Sequence, residues 1–148
     1  MVLVQHILQD ARKRLAVLRR DASLADAAGI LANPETPLVV VCNSEGICVG
    51  VLSKSNIVKA LAGSKGNAGN MSVGDVMTSA VVSCHVDNTL QGVWDSMNAQ
   101  TVRSVPVLDD SGRPQGVVHA RDLARALLNE VDEEEVLLRD YVLGIGYQ

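Results

Sequence analysis

A chain of 148 residues is one domain's worth of sequence, long enough to bury roughly 70 % of its unfolded surface without a disulfide or metal staple. Its −4 net charge and its aromatic poverty (no Phe, one Trp, two Tyr) exclude a general nucleic-acid binder and leave an aliphatic core. Cys42, Cys48 and Cys84 are odd in number with no C-x-x-C pair, no basic-then-apolar leader opens the chain, and no run nears the ~18 apolar residues of a membrane span, so buried thiols in a reducing cytoplasm are expected.

In chain order, residues 2–14 predict a short amphipathic helix, because Val4, Ile7, Leu8 and Ala11 keep helical spacing. Residues 15–18 predict a short strand. Ser23 is placed to N-cap a helix whose inner stripe is Leu24, Ala27, Ala28 and Leu31, stopped by Asn33-Pro34. A β-branched strand at 38–42, a turn at 43–46 and a strand at 47–52 follow. Ser53 then opens a helix to about residue 62. The stretch 63–70, rich in Gly, Ser and Asn, has little to bury and reads as a flexible linker. Beyond it come a strand at Val81-Val82, a helix at 89–99, a strand at 103–108, a turn at 109–112, a strand at 115–118 and a helix at 120–128. A last helix is expected from about Asp132 to Gly144. Asp132, Glu133, Glu134 and Glu135 would form its solvated first turn and Arg139 would lie near its end, the sense that suits the helix dipole. This divides the chain into an N-terminal helix (1–14), a first unit (15–62), a linker (63–72), a second unit (73–128) and a C-terminal helix and tail (129–148). Alternating strands and helices predict an α/β (α+β) fold.

The two units are spelled on one plan, 66 positions apart: Leu24 answers Leu90 (24 + 66 = 90), Val39 answers Val105, Gly46 answers Gly112, Gly50 answers Gly116 and Leu61 answers Leu127. A repeat of this length buries its apolar face against its copy. Two related units create two related clefts, a sensor's geometry more than a catalyst's. The run Gly50-Val-Leu-Ser53-Lys-Ser55-Asn56 and its counterpart Gly116-Val-Val-His119-Ala-Arg121-Asp122 resemble cystathionine-β-synthase (CBS) domains. So do Val76-Met77-Thr78 before the second unit and Ser104-Val105-Pro106-Val107 within it; the resemblance covers about residues 15–128. It implies two β-α-β-β-α repeats packed with pseudo-two-fold symmetry, a Bateman module. It further implies an adenosine-type ligand (AMP, ADP or ATP, with NAD and S-adenosylmethionine sharing the adenosine end), no required cofactor, a protein effector and a disc-like homodimer.

The residues themselves support a cleft of that kind. In Gly-h-h-Ser/Thr-x-x-Asp a strand ends and a helix begins, so a hydroxyl and a carboxylate three positions on face one way. An ionised Asp accepts two ribose hydroxyls through charge-assisted bonds, and a helix N-terminus offers N–H groups to a phosphate. The same spacing also makes a plain capping box. The second site keeps Asp122, with Arg121 beside it and Arg103, Val105 and Pro106 on the preceding strand, but His119 replaces the hydroxyl. His119 is either a pH-sensitive contact or a tolerated strand-end residue. The first site has Ser53 and Ser55 but the neutral Asn56, so the Asp122 cleft is expected to bind better. Arg12, Lys13, Arg14, Arg19 and Arg20 are either a solvated helix end or, by the family's crossed arrangement, phosphate contacts at the Asp122 site; Thr78 and Ala80 would border Asn56 in the same way. Trp94 reads as core or dimer interface. No triad, H-E-x-x-H or phosphate-loop pattern points to catalysis. The alternatives are an interaction module with empty clefts acting by dimerisation, and a small enzyme using His119 and Asp122 as an acid–base pair.

Overall fold

The computed structural model describes residues 1–65 and 67–145; Gly66 of the expected linker and residues 146–148 of the expected tail lie outside the described residues. A 3₁₀ turn (Val4–Ile7) leads into α1 (Leu8–Lys13). The first unit follows with β1 (Val17–Arg19), α2 (Leu24–Leu31), β2 (Val39–Cys42), β3 (Cys48–Leu52) and α3 (Lys54–Ser64). β2 is β-branched at three of its four positions and buried at all four, and it lies centrally, parallel to β1 and antiparallel to β3. α2 begins where the Ser23 hydroxyl accepts from the Asp26 N–H at 3.1 Å. Its inner stripe is Leu24, Ala27 and Leu31; Ala28 faces solvent, because the small sheet covers only a narrow face of so short a helix. The expected flexible linker is largely ordered: α3 ends at Lys65 in the left-handed region (φ 54°), and residues 68–70 form a 3₁₀ turn. Ala68 there is 1 % exposed, a methyl seated in the first unit's core that composition alone does not reveal.

The second unit contains α4 (Val73–Val76), α5 (Leu90–Gln100), β4 (Ser104–Leu108), β5 (Pro114–His119) and α6 (Ala120–Ile145). The strand expected at Val81-Val82 does not form. The Val81 N–H folds back to the Ser79 carbonyl at 3.0 Å, and the segment meets β4 only through a single parallel bridge, Cys84 to Val107. The two helices expected after β5 are one helix of 26 residues, since no Gly or Pro interrupts it before Gly144. Asp132–Glu135 are therefore exposed in mid-helix and not a first turn.

Each unit has its own apolar cluster, and a third cluster, Leu38, Val40, Cys42 and Val117, joins the two sheets. The connections cross. Val4 and Ala11, from the start of the chain, are buried in the second unit's core, and the Val4 N–H bonds the Asn88 carbonyl at 2.9 Å. Met77-Thr78, from the start of the second unit, extends the first sheet through paired bonds between Thr78 and Val51 at 2.8 and 3.0 Å. Matched glycines, Gly46 (φ 79°) and Gly112 (φ 86°), supply the left-handed residue in each hairpin. Trp94 is half-buried against the second core, and Met97 on the same helix is 2 % exposed and covered by its own unit. No described helix is long and apolar enough to cross a membrane.

Candidate functional site

The strand–helix junctions of the two units meet. β3 gives way to α3 at Ser53, and β5 gives way to α6 at His119. Between them opens a cleft of about 510 Å³. The first unit lends it Pro37, Leu38, Ser53, Lys54 and Ser55; the second lends Arg103, Ser104 and His119. Pro37 and Arg103 are 66 positions apart, as are Ser53 and His119, so the cleft lies on the pseudo-two-fold axis. Lys54, Arg103 and His119 line it, and among the described residues no carboxylate does. The His119 Nδ1 lies 3.0 Å from the Arg103 carbonyl. A carbonyl only accepts, so Nδ1 is the donor at this contact.

Asp122 does not share that cleft. It lines a separate recess of about 190 Å³ with Asp10, Lys13, Arg14, Glu35 and Arg125. Arg14 grips it through a two-pronged ion pair, Nε to Oδ2 at 2.5 Å and Nη2 to Oδ1 at 3.2 Å, with side chains only 16 % and 11 % exposed. The Arg14 hydrogen bond holds the Asp122 carboxyl below the usual carboxylate range, against the opposing pull of burial, and the same bond raises the guanidinium pKa. The remaining Arg14 nitrogen donates to the Glu35 backbone carbonyl at 3.1 Å.

Asn56 is held differently. Its Oδ1 accepts from the Ser53 N–H at 2.9 Å, the back-bond of a helix cap. Its Nδ2 donates to the Thr78 hydroxyl at 3.1 Å and to the Val76 carbonyl at 3.4 Å. The Ser53 and Ser55 hydroxyls stand 2.9 Å apart at the cleft's edge.

Of the other residues singled out in the sequence, Lys13 joins the Asp122 recess, while Arg12 and Arg121 are exposed and line neither cavity. Val105 and Pro106 are buried in β4 and do not line the cleft. Thr78 bonds Asn56 and Ala80 is exposed nearby in sequence. Lys54, Thr36, Pro37, Leu38 and Ser104 line the cleft and were not anticipated. Projecting the anticipated Arg103 back through the 66-residue offset finds one of them, Pro37 (103 − 66 = 37).

The paired units and the cleft on their axis define a tandem regulatory-type module. The CBS domain family model matches residues 4–63 and 73–129, and the chain belongs to that family as a tandem pair. Its structure is similar to the CBS-domain protein ATU1752 from Agrobacterium tumefaciens, with a TM-score of 0.75 and 29 % identity over 84 % of this chain and 92 % of that one. It is also similar to the CBS domain pair of protein MJ0100, solved in complex with 5′-methylthioadenosine and S-adenosyl-L-methionine (TM-score 0.76, 27 % identity, 88 % and 98 % covered). In sequence it is 30 % identical over 103 residues to the L-aspartate semialdehyde sulfurtransferase of Methanocaldococcus jannaschii. That match takes in 70 % of this chain but only 19 % of the sulfurtransferase's length.

Proposed function

We propose that this chain binds an adenosine-type ligand carrying phosphate (AMP, ADP or ATP) between its repeats and relays occupancy to a protein effector. The observation that carries the reading is the 510 Å³ cleft on the two-fold axis, lined by Lys54, Arg103 and His119 without a carboxylate. Such a cleft favours a phosphate and disfavours a sulfonium, so a nucleotide suits it better than S-adenosylmethionine. The MJ0100 pair, with two adenosyl compounds bound, supports the adenosine half of the ligand. Adenine needs no aromatic partner when aliphatic side chains can sandwich it.

A ligand seated in the cleft would reach past His119 into the neighbouring recess to set its ribose on Asp122, and Arg14 must then let go. Arg14 lies at the end of α1, and α1 packs on β5. Exchanging Asp122 for a phosphate would move the N-terminal segment, which is a route by which occupancy is felt elsewhere. The module acts in the cytoplasm as a homodimer of twice 15.7 kDa. Val58 (62 % exposed) and Leu61 (46 %) on α3 and Leu128 (65 %) on α6 supply apolar surface for it. Light scattering that returns a single 15.7 kDa chain at tens of micromolar contradicts the dimer.

The second reading, an interaction module without ligand, is favoured by one observation: both ribose-type residues already have partners, Arg14 for Asp122 and Ser53 with Thr78 for Asn56. Calorimetric titration with ATP, AMP and S-adenosylmethionine separates the two. Nucleotide binding that drops at least about tenfold in Arg103→Ala supports the ligand reading, one charge-assisted contact being worth roughly 1.5–3 kcal/mol. Absence of heat with all three ligands supports the other.

A further inference from the structure

Cys42 and Cys48 are opposed across the β2–β3 pair, and both are free thiols. The Asn43 N–H bonds the Ile47 carbonyl at 2.9 Å, while the Cys48 N–H turns away to the Gly112 carbonyl at 2.9 Å. The pairing slips by one residue between Val41 and Cys42, so the cysteines face each other beside a β-bulge; opposed residues of an antiparallel pair stand about 4.5–5.5 Å apart. A disulfide accepts Cα separations of roughly 4.4–6.8 Å. Their side chains share a face, since both belong to the apolar cluster that joins the two sheets. Cys42 is 2 % exposed but forms part of the wall of a recess of about 300 Å³ beside Arg19 and Arg20. The two cations outnumber the one carboxylate on that wall, Asp21, which suits an anionic peptide disulfide such as oxidised glutathione.

We propose that Cys42 and Cys48 are a site of reversible oxidative modification, closing a disulfide across the β2–β3 hairpin. The thiolate of Cys48, the more exposed of the two, attacks one sulfur of a low-molecular-weight disulfide and releases one thiolate. Cys42, having lost its proton, attacks the Cys48 sulfur of that mixed disulfide and releases the second thiolate. Two protein thiols are oxidised and one external disulfide is reduced; the two protons lost by Cys42 and Cys48 pass through solvent to the two released thiolates, which end as thiols. Burial raises both thiol pKa values, so the exchange is slow at neutral pH and speeds up under mild alkali. Cys48 also holds the second unit directly, through its N–H to Gly112. Oxidation thus acts on the seam between the repeats, whatever ligand the cleft takes.

The test uses the full chain, incubated folded with glutathione disulfide at mildly alkaline pH, quenched with acid and alkylated. Tryptic mapping should show one peptide holding both cysteines, lighter by two hydrogens, without alkyl groups, and restored by dithiothreitol. Cleavage at Glu45, between the two, should leave its fragments joined until reduction. Cys84, 3 % exposed in the second core, should stay reduced. Cys48→Ser, or Cys42→Ser if the first variant folds poorly, should abolish the cross-link. Two alkylatable or separately glutathionylated cysteines in the folded wild type overturn the proposal, as does a cross-link that appears only in denaturant.

Discussion

The two strand–helix junctions began as one sequence plan and ended as two kinds of fastening. At Ser53–Asn56 the polar residue turns onto its own helix cap and donates its amide N–H to the Thr78 hydroxyl. At His119–Asp122 it reaches across the molecule to Arg14. In both, the partner comes from the segment leading into the opposite unit, since Arg14 precedes β1 and Thr78 follows α4. The crossed architecture has kept the fastening and changed its chemistry. An amide–hydroxyl contact is neutral, nearly blind to pH and salt, and is worth roughly 0.5–1.5 kcal/mol. A guanidinium–carboxylate fork is stronger, responds to pH, and obliges any ribose to compete with a charge. The halves thus differ less in shape than in what must be broken to open them.

The largest effects should come from the glycines beneath the two fastenings. A Cβ on Gly116 would lie 2.8 Å from both the carbonyl carbon and the Cβ of Ala11 in α1, mostly backbone that cannot yield. On Gly50 it would strike the thioether of Met77, a flexible side chain, with the Thr78 carbonyl at 3.0 Å behind it. Gly116→Ala should destabilise by about 2–3 kcal/mol and Gly50→Ala by about 1–2 kcal/mol, both read from urea unfolding. Early proteolysis of residues 1–14 in the Gly116 variant would locate the damage. Equal losses would mean that the two crossings are equally rigid.

Next in size is the carboxylate. Asp122→Ala should weaken nucleotide binding by roughly 1.5–3 kcal/mol in calorimetry, and Asn56→Ala by less. Unchanged affinity with a large fall in melting temperature would reduce Asp122 to a fastening for α1.

The difference should also show against pH. Because Arg14 lowers the Asp122 pKa, the pair's stabilisation is present above the unfolded carboxylate value of about 3.9 and is lost as pH falls through the lower folded value. Arg14→Met should flatten that acid limb of the melting curve; the Asn56 half has no counterpart. At the other end, burial pushes the Cys84 thiol up to about 12. Its contribution is complete below the unfolded thiol range and is lost as pH rises from about 8.5 toward the folded value. Leu18 stands at the matching place in the first unit (18 + 66 = 84), so Cys84→Val should remove this alkaline loss. An unaltered alkaline limb in that variant would assign the loss to other groups.

The repeat made most of the fold legible, because Leu24, Ala27, Leu31 and their counterparts Leu90, Val93 and Met97 carry the helical period in both copies. What escaped was set by neighbours rather than by local pattern. Val81-Val82 has strand composition, yet the turn at Ser79 leaves only Cys84 in reach of β4. Ala68 looks like linker until it meets the first unit's core. α6 was split because the repeat ends near Leu128, although its sequence holds no breaker there. At the site, the residue types at Asn56 and Asp122 were readable, but their partners Thr78 and Arg14 lie 22 and 108 positions away, beyond any local signal. The family's crossed arrangement was the one guide to them.

The smallest effect tests whether the fastening chemistry sets the inequality of the halves. Asn56→Asp keeps the oxygen that accepts from the Ser53 N–H but replaces the amide donor facing the Val76 carbonyl. An oxygen set against a carbonyl is unfavourable, so the variant should lose about 1 kcal/mol of stability. Thr78 can rotate its hydroxyl to donate, which limits the damage. A ribose at this half would gain a charged acceptor, and its affinity should rise by about 1 kcal/mol. The two changes have opposite signs, which makes them separable: urea unfolding without ligand reads the loss, and calorimetric titration with ATP reads the gain. If affinity stays put while stability falls, Asn56 is a cap and nothing more. Ligand in the Asn56 half of a wild-type crystal soaked at limiting nucleotide, with none at Asp122, would reverse the ranking of the halves. It would mean that a ribose finds the neutral contact easier to displace than the Arg14 fork, whatever charge Asp122 offers once it is free.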